Sequence, residues 1–442
     1  LENLQKEYGD VFTVWTPRPF VVLATYDTIK EAFLTKGDDF AGRLGQFPDD
    51  QFMTTENGGV LFSDGENWRE QRRTAISILR DFGMGKNAME EQVKSSMHEC
   101  MRHLDNIKDK SRVDFRWPLQ ILVANVVNEV LFGYHYKYDD CQRLMDYSDG
   151  LTKQMEAQRA NPFVFLTIQF PWLSKVPLLG WFAEGQYRAN SSKMTAHVRE
   201  DVLRCEKTFD ENDEPGCFVH AYMQRMPKSD GSLNHLQMLN ACNDFFLAGM
   251  ETTSTTLRWA MLYLAKNLDV QDRIRSEIHS VIGRDGEVNM ADRVRMPYTV
   301  AALTEIQRVA NIVPLNVFHR TMVDTEVSGH SIPKGTVVLG QIFNVMRNKS
   351  VFERPDELRP ERFFLEDGKT PNKVALEHAV PFSIGKRQCA GEGLARMELF
   401  LALVMILQKY RVLPPKDAPI DLTPVQGIVN IPRTNYLQLE RA

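Results

Sequence analysis

The chain carries its most reactive residue types in the segment from Pro381 to Glu392, which reads PFSIGKRQCAGE. This segment places Cys389 between two glycines and just before an apolar run, Leu394 to Leu407, that predicts a helix. Glycine leaves room for a flat cofactor and adopts the positive φ angles of a tight loop. Unpaired N–H groups at a helix entrance favour a thiolate, and Arg387 adds positive charge. The pattern predicts an iron ligand or a nucleophile, against the ordinary alternative of a small buried cysteine.

The frame around this cysteine is Phe-x-x-Gly-x-Arg-x-Cys-x-Gly, matched at Phe382, Gly385, Arg387, Cys389 and Gly391. It resembles the haem-binding loop of the cytochrome P450 family, the haem-thiolate monooxygenases. The resemblance implies that Cys389 is the proximal ligand of the haem iron and that Phe382 packs near its sulfur. It also implies that Arg387 pairs with a haem propionate and that Gly391 belongs to the cofactor-binding loop.

A long segment from Leu233 to Asn267 predicts a single helix with an unusual centre. Five consecutive hydroxyl residues from Thr252 onward are poor helix formers, and their side chains compete for backbone carbonyls. They predict a local widening of the helix, with a tolerated polar face as the alternative. The segment resembles the oxygen-binding helix of the same family. That resemblance implies that Ala248 and Gly249 border the distal face of the haem. Glu251 and Thr252 would form the acid–alcohol pair that delivers protons to dioxygen.

Glu305 and Arg308 place opposite charges three residues apart on one face of a predicted helix. On a surface such a pair is common and contributes little energy. Its apolar flanks instead predict burial. Together with Pro360-Glu361-Arg362-Phe363, the pair resembles the Glu-x-x-Arg motif of the family and its partner arginine. The resemblance implies a buried ionic triad of Glu305, Arg308 and Arg362 with a structural role.

Two further segments resemble parts of the family that reach the haem propionates. Trp68 and Arg72 lie four residues apart on one predicted helical face and match the motif Trp-x-x-x-Arg. His319 lies where microsomal members place another propionate contact, although a lone histidine is more often a satisfied polar residue. A loose Gly-x-Gly-x-x-Ala pattern at 83–88 follows a helical run rather than a strand, so it predicts no dinucleotide site.

The composition of the chain limits the classes of function. A formal net charge of −5 over 442 residues argues against nucleic acid as a partner. Six cysteines without a Cys-x-x-Cys pair indicate a reducing compartment and no structural zinc site. No apolar run approaches the ~20 residues that span a bilayer. Because the chain begins at Leu1 rather than Met, we expect an N-terminal membrane anchor to be absent from this chain.

The periodicity predicts a mainly α protein with a small β portion. The short β elements are expected at 11–15 and 20–23 as a hairpin, at 335–339, and as a final hairpin ending near 436–439. Neither repeats nor a linker are recognisable, so we expect one domain over residues 1–442. The resemblance implies the cytochrome P450 fold, with haem between the long helix and the cysteine loop.

The stretch from Phe163 to Phe182 is the most aromatic-rich part of the chain. Its prolines and interspersed polar residues predict short helices at a membrane interface, with ordinary core as the alternative. In the family this region roofs the substrate pocket. By the same resemblance, candidate residues for the pocket are Phe47, Phe246, Val313, Val317 and Ile428.

These motifs occur in the order found in the family and lead to one interpretation. The chain is expected to be a monooxygenase that inserts one atom of O2 into a lipophilic xenobiotic, steroid or fatty acid. The resemblance implies haem b as cofactor, and NADPH as electron source through NADPH-cytochrome P450 reductase, with cytochrome b5 as a further candidate partner. It also implies the cytoplasmic face of the endoplasmic reticulum membrane. A haem-thiolate isomerase or dehydratase and a non-catalytic haem sensor are the alternatives, and Glu251 and Thr252 argue against both.

Overall fold

The computed structural model describes residues 2–16, 18–83, 87–416 and 419–441, so Met84–Lys86 of the glycine-containing pattern lie outside the described residues. The helices are α1 Glu2–Tyr8, α2 Tyr26–Lys30, α3 Gly65–Asp81, α4 Asn87–Asn106, α5 Arg116–Phe132, α6 Gln142–Ala160, α7 Pro162–Gln169, α8 Pro177–Gly180, α9 Gln186–Lys207, α10 Phe218–Met223, α11 His235–Lys266, α12 Leu268–Ile282, α13 Pro297–Ala310, α14 Ile342–Met346, α15 Lys373–His378 and α16 Glu392–Lys409.

The strands are β1 Val11–Trp15, β2 Pro19–Leu23, β3 Val113–Asp114, β4 His319–Arg320, β5 Thr325–Val327, β6 His330–Ile332, β7 Val337–Gly340, β8 Tyr410–Leu413, β9 Pro424–Val425, β10 Ile431–Pro432 and β11 Tyr436–Arg441. The prediction of a mainly α protein with a small β portion is confirmed.

The main hydrophobic core is built around α5, α11 and α16. Helix α5 is apolar on nearly its whole circumference, and a helix of that kind must be enclosed by others. Where α5 meets α11, a Cβ built on Gly249 would lie 2.9 Å from Cγ2 of Val127. The glycine therefore lets the two helices approach closely.

Helix α11 begins at its cap Asn234, whose side chain accepts hydrogen bonds from the backbone N–H groups of Leu236 and Gln237. The helix then runs unbroken to Lys266, in agreement with the predicted span. The expected local widening is not seen along α11, because its backbone is α-helical throughout. The hydroxyl groups instead bond to carbonyls within the helix, as Ser254 does to Met250 and Thr256 to Thr252.

A buried polar stripe on α11 holds the segment 54–61 in place. Oδ1 of Asn240 accepts from the backbone N–H of Thr54 at 2.6 Å, and Oε1 of Gln237 accepts from that of Gly59 at 2.9 Å. Asp244 accepts from the N–H groups of residues 60 and 61 at 2.6 and 2.9 Å. Burial raises the pKa of Asp244 to about 7. The spacing 237, 240, 244 in an otherwise apolar helix was a signal for this contact that the sequence interpretation did not use.

The larger sheet has the strand order β1-β2-β7-β4. Strands β1 and β2 form the predicted antiparallel hairpin, and β2 pairs in parallel with β7. The prediction of a final hairpin was wrong for the last strand. β11 pairs instead with the distant β8 and β3, and the short local hairpin of the C-terminal region is formed by β9 and β10. Alternating apolar residues identify a strand but not its partner.

Candidate functional site

The cysteine loop is fixed against the turn formed by residues 31–35. Gly385 has a φ of 82°, and a Cβ built there would lie 1.7 Å from the carbonyl oxygen of Phe33. Only glycine fits this position. Across the loop, the backbone N–H of Cys389 donates to the carbonyl of Phe382 at 3.1 Å. All six cysteines lie in the described residues, and Cys389 is the exposed one. The loop therefore presents a single accessible sulfur directly before α16.

The electrostatic surroundings of Cys389 differ from those expected. Cys389 is accessible, but the surrounding protein partly removes water from its sulfur. This desolvation and the nearby Glu392 raise the pKa of the thiol, whereas the N–H of Gly391 and the guanidinium of Arg72 oppose the rise. Arg387 does not face the sulfur, since its donors reach backbone carbonyls on the other side of the loop. A thiol in this setting ionises when a metal cation binds it.

Three guanidinium groups, those of Arg43, Arg72 and Arg387, lie close together: Arg72 lowers the pKa of Arg43, and both lower the pKa of Arg387. Burial is the first cause of the lowered pKa at each of the three. Among the described residues, none of the three forms an ion pair with a carboxylate. Arg43 and Arg387 are almost fully buried, and their recorded acceptors are backbone carbonyls. Such a cluster of cations requires an anion. The sequence interpretation missed Arg43, which follows no periodic pattern.

Trp68 independently indicates that this anion also accepts a hydrogen bond. Its indole Nε1 is buried and has no hydrogen-bond acceptor among the described residues. The guanidinium of Arg387 lies 3.8 Å from the centre of the Trp68 ring, so the unpaired donor belongs to the cation cluster. Arg72 donates to the carbonyl of Gln388 at 2.6 Å, which ties α3 to the cysteine loop. A planar cofactor with two carboxylates at one edge and an iron that binds sulfur fits this arrangement.

His319 lies beside the same cluster. It is 2 % exposed, stacks on Phe33 at 3.8 Å between ring centres, and Nδ1 donates to the carbonyl of Phe40 at 2.8 Å. Burial and the charges of Arg43 and Arg387 hold the pKa of His319 well below its usual range. The role of His319 as a propionate contact stays a prediction. An anion nearby would raise this pKa and favour a donor at both ring nitrogens.

On α11, Ala248, Gly249 and Thr252 are only partly buried, although most of the helix around them is enclosed. These three positions share one helical face. The hydroxyl of Thr252 donates to the carbonyl of Ala248 at 2.7 Å. The face predicted to border the cofactor is therefore the accessible one.

Glu251 points away from that face into a buried polar network. Its Oε1 accepts from the hydroxyl of Thr255 at 3.1 Å, and its Oε2 accepts from Nε2 of Gln120 at 3.4 Å. Gln120 also donates to the hydroxyl of Ser148 at 2.6 Å, and Ser148 accepts from Arg116 at 3.4 Å. Burial raises the pKa of Glu251, and the charge of Arg258 opposes this effect. The network continues to Asp149, whose side chain is 46 % exposed.

Glu305, Arg308 and Arg362 meet in a buried network on the proximal side of the core. Arg308 donates to both oxygens of Glu305, at 2.7 and 2.9 Å, and Arg362 donates to Oε1 at 2.8 Å. Arg308 also donates to the carbonyls of Met346 and Pro355. Because these charges are paired and their donors are used, removing one member would leave a buried charge unpaired.

The candidate pocket residues separate into two groups. Val313, Val317 and Ile428 lie in neighbouring segments, since the N–H of Asn430 donates to the carbonyl of Ile312 at 2.7 Å. Phe47 is buried against Val164 and Tyr187 beneath α7 and α9.

The assignment of Phe246 to the pocket was wrong. Its ring is 0 % exposed and packs among Phe132, Tyr147 and His197. The residue lies two positions before Ala248, on a helical face that the core covers.

Comparison with known proteins identifies the class. The family model "Cytochrome P450" matches residues 1–439, and the chain therefore belongs to this family. The chain is 34% identical to cytochrome P450 2J5 of Mus musculus over 98% of its own length and 84% of that protein. It is 37% identical to cytochrome P450 2F2 and 35% identical to cytochrome P450 2B2, both of Rattus norvegicus, each over 98% of this chain and 87% of the relative.

The protein is a haem-thiolate monooxygenase that uses haem b, O2 and electrons from NADPH delivered by NADPH-cytochrome P450 reductase. It associates with the endoplasmic reticulum membrane. Within the described residues, the helices are too short or too polar to cross a bilayer.

The unpaired indole predicts the effect of Trp68→Phe. This change removes one N–H donor and keeps an aromatic ring beside Arg387. A hydrogen bond to a charged group contributes about 1.5–3 kcal/mol, so haem should leave the variant about tenfold faster or more. Haem transfer to excess apomyoglobin, followed by absorbance, measures the rate.

Trp259→Phe is the matched control. Its Nε1 donates to the carbonyl of Asn430 at 2.9 Å, outside the cation cluster. This variant should release haem at the wild-type rate. Equal rates for Trp68→Phe and wild type would show that the indole does not hold the cofactor.

Proposed function

We propose that this chain, acting as one catalytic unit over residues 1–442, oxidises lipophilic small molecules that reach it from the membrane. Cys389 would be the iron ligand in that unit. Trp68, Arg72, His319 and Arg387, together with Arg43, would hold the propionates. When bound, the haem supplies the iron that activates O2, and its thiolate ligand favours cleavage of the O–O bond.

The observation that carries this proposal is the buried cluster of Arg43, Arg72 and Arg387 next to the exposed sulfur of Cys389. Cations buried without carboxylate partners are costly, and the orphaned Nε1 of Trp68 adds an unsatisfied donor to the same place. An anionic iron cofactor would balance the charge of these cations and would accept a hydrogen bond from the indole N–H.

Proton delivery is assigned to Thr252 and Glu251. The hydroxyl of Thr252 lies on the accessible face of α11, and its bond to the carbonyl of Ala248 fixes its orientation. Glu251 lies in the buried network with Gln120 and Ser148, which leads toward the partly exposed Arg116, and its raised pKa suits a group that carries a proton. Rotation of the Glu251 carboxyl would bring that proton from the network to the Thr252 side of the helix.

The surface formed by the β1–β2 turn and residues 163–182 suggests both the class of substrate and the orientation of the protein on the membrane. Gln169 joins the two parts, since its Oε1 accepts from the hydroxyl of Thr16 and the N–H of Arg18 at 3.1 and 3.2 Å. The large apolar side chains exposed there are Trp15, Phe163, Leu166, Phe170, Trp172, Val176, Leu178, Trp181 and Phe182. A contiguous surface of this kind suits the interface of a bilayer. We place it in the cytoplasmic leaflet of the endoplasmic reticulum, where lipophilic substrates are concentrated.

A haem-thiolate isomerase or dehydratase and a haem sensor were the alternative predictions from the sequence. Neither needs external electrons during turnover or an acid–alcohol pair on the accessible face of the helix. Rapid substrate-dependent consumption of NADPH with the reductase present separates the monooxygenase from both.

Replacing the proposed ligand tests the cofactor assignment. In Cys389→Ala, the red-shifted carbonyl band of a thiolate-ligated ferrous haem should be lost, because the other cysteines are buried elsewhere. A carbonyl difference spectrum measures this. Cys141→Ala, which alters a buried cysteine outside the loop, should keep the band. A normal band in Cys389→Ala would overturn the assignment.

Thr252→Ala tests proton delivery. The variant should still bind haem and substrate. A larger share of the electrons from NADPH should form hydrogen peroxide and a smaller share should form product, because protons would no longer be delivered to reduced oxygen at the correct step. The ratio of product to NADPH consumed, with peroxide assayed in parallel, gives the answer. Thr256→Ala is the control. It removes a hydroxyl one turn later that donates to the carbonyl of Thr252 at 2.8 Å, and this variant should keep the wild-type ratio of product to NADPH consumed. Wild-type coupling in Thr252→Ala would contradict the role.

The double variant Trp172→Glu with Trp181→Glu tests the membrane surface. Burying an aromatic side chain contributes about 1.5–3 kcal/mol, so binding of the 442-residue chain to phosphatidylcholine vesicles should fall by about tenfold or more. Vesicle flotation measures the bound fraction. Val294→Glu changes an apolar residue that is 85 % exposed in the 3-10 turn at 290–295 and should bind as wild type does. Unchanged binding of the double variant would place the membrane contact elsewhere.

A further inference from the structure

Three buried cysteines, Cys205, Cys217 and Cys242, lie near one another and outside the residues assigned to the haem site. The thiol of Cys205 donates to the carbonyl of Phe132 at 3.5 Å, at the end of α5. A Cβ built on the following residue, Gly133, would lie 3.7 Å from the Cβ of Cys217. Cys205 and Cys217 therefore converge on the same corner of α5, from the end of α9 and the start of α10.

Within this cluster, the thiols of Cys205 and Cys217 lie close enough to shift each other's pKa. Their interaction lowers the pKa of Cys217 and raises the pKa of Cys205. Cys242 is deeper in α11, and burial raises the pKa of its thiol well above the usual value. Peroxides react with thiolates rather than thiols, so Cys217 is the reactive member and Cys205 is the adjacent thiol.

Access to the pair is controlled by the segment that joins α9 to α10. Cys205 and Cys217 are only 3 % and 2 % exposed, but residues 207–214 between them are largely exposed and lie outside regular secondary structure after Lys207. Segments with few buried contacts open locally at small cost. Such an opening would admit a molecule as small as hydrogen peroxide.

We propose that Cys205 and Cys217 form a peroxide-responsive pair that closes into a disulfide. The thiolate of Cys217 attacks hydrogen peroxide, forming an S–O bond while the O–O bond breaks and hydroxide leaves to become water. The sulfur is oxidised by two electrons and the peroxide is reduced. The sulfur of Cys205 then attacks the sulfenic acid, forming the S–S bond, and its proton leaves with the second oxygen as water. In total, two thiols and one hydrogen peroxide give one disulfide and two waters.

The oxidant is the hydrogen peroxide that would form if reduced oxygen were not coupled to substrate. The disulfide would join the end of α9 to the start of α10 and enclose the acidic segment between them. Helix α9 also carries Tyr187, whose ring packs on Phe47, one of the candidate pocket residues. Oxidation would therefore restrain a helix that packs against the candidate substrate pocket, as a response to uncoupled turnover.

The test uses the wild-type holoprotein without substrate, treated with hydrogen peroxide, alkylated under denaturing conditions and digested with trypsin. Cleavage after Arg204, Lys207 and Arg225 places the two cysteines in separate fragments, 205–207 and 208–225. We expect mass spectrometry to detect these fragments joined, with loss of both alkylated forms, and dithiothreitol to restore them.

The variants identify the partners. Cys217→Ser and Cys205→Ser should each abolish the joined fragments, whereas Cys242→Ser, the third member of the cluster, should leave them unchanged. The carbonyl band of each variant shows whether the variant has folded around haem. If a variant lacks this band, the wild-type experiment still tests whether Cys205 and Cys217 form a disulfide. Persistence of both alkylated fragments after peroxide, a bond between Cys217 and Cys242, or sulfinic acid at Cys217 without a bond would overturn the proposal.

Discussion

The burial of several guanidinium groups near one another is the constraint on which the proximal half of the molecule depends. Arg43 and Arg387 repel each other, and neither has a carboxylate bonded to it among the described residues. Their donors are directed at backbone carbonyls of residues 41, 60, 61, 63 and 318. This satisfies their hydrogen bonds, while Asp49 and Asp64 attract the two guanidinium groups without forming ion pairs with them. The positive charge brought together by α3, β4 and the cysteine loop is the charge that an anionic cofactor would balance.

Helix α11 serves this arrangement from the other side. Its polar stripe receives the N–H groups of residues 59–61, while the carbonyls of residues 60, 61 and 63 accept from the guanidinium cluster. One short segment thus has its donors and its acceptors fixed by two different parts of the fold. This segment therefore links α11, which carries Glu251 and Thr252, to the guanidinium groups beside the cysteine loop.

Much of the fold and part of the site could be predicted from the sequence. Continuous periodicity gave the span of α11, and the β1–β2 hairpin follows from strand propensity on both sides of a proline-containing turn. The resemblance to the family motif also implied that Glu305 would meet Arg308 and Arg362, and both arginines form ion pairs with Glu305. The pocket assignment of Phe246 failed because the core-facing side of a helix is set by its neighbours, here Tyr147 and His197.

Other features depend on contacts between distant segments and could not be predicted. Arg43 lies in a loop with no periodic pattern, and only the fold places it beside Arg387. The pKa of Cys389 was expected to be lowered by its helix and by Arg387, but desolvation in the loop outweighs the N–H of Gly391. Local sequence shows which charges are nearby in the chain, whereas burial is a property of the assembled molecule.

The last strand has a consequence for the biosynthesis of the protein. β11 completes a sheet with β3 and β8, and the neighbouring Asn435 accepts from the N–H of Phe115 at 2.9 Å and from the side chain of Arg258 at 2.6 Å. The beginning of α5 and the middle of α11 are therefore anchored by residues that the ribosome makes more than a hundred positions later. Helices can form while the chain emerges, but contacts this distant in sequence must wait. These contacts of the central core can consequently form only once residues 435–441 have been synthesised.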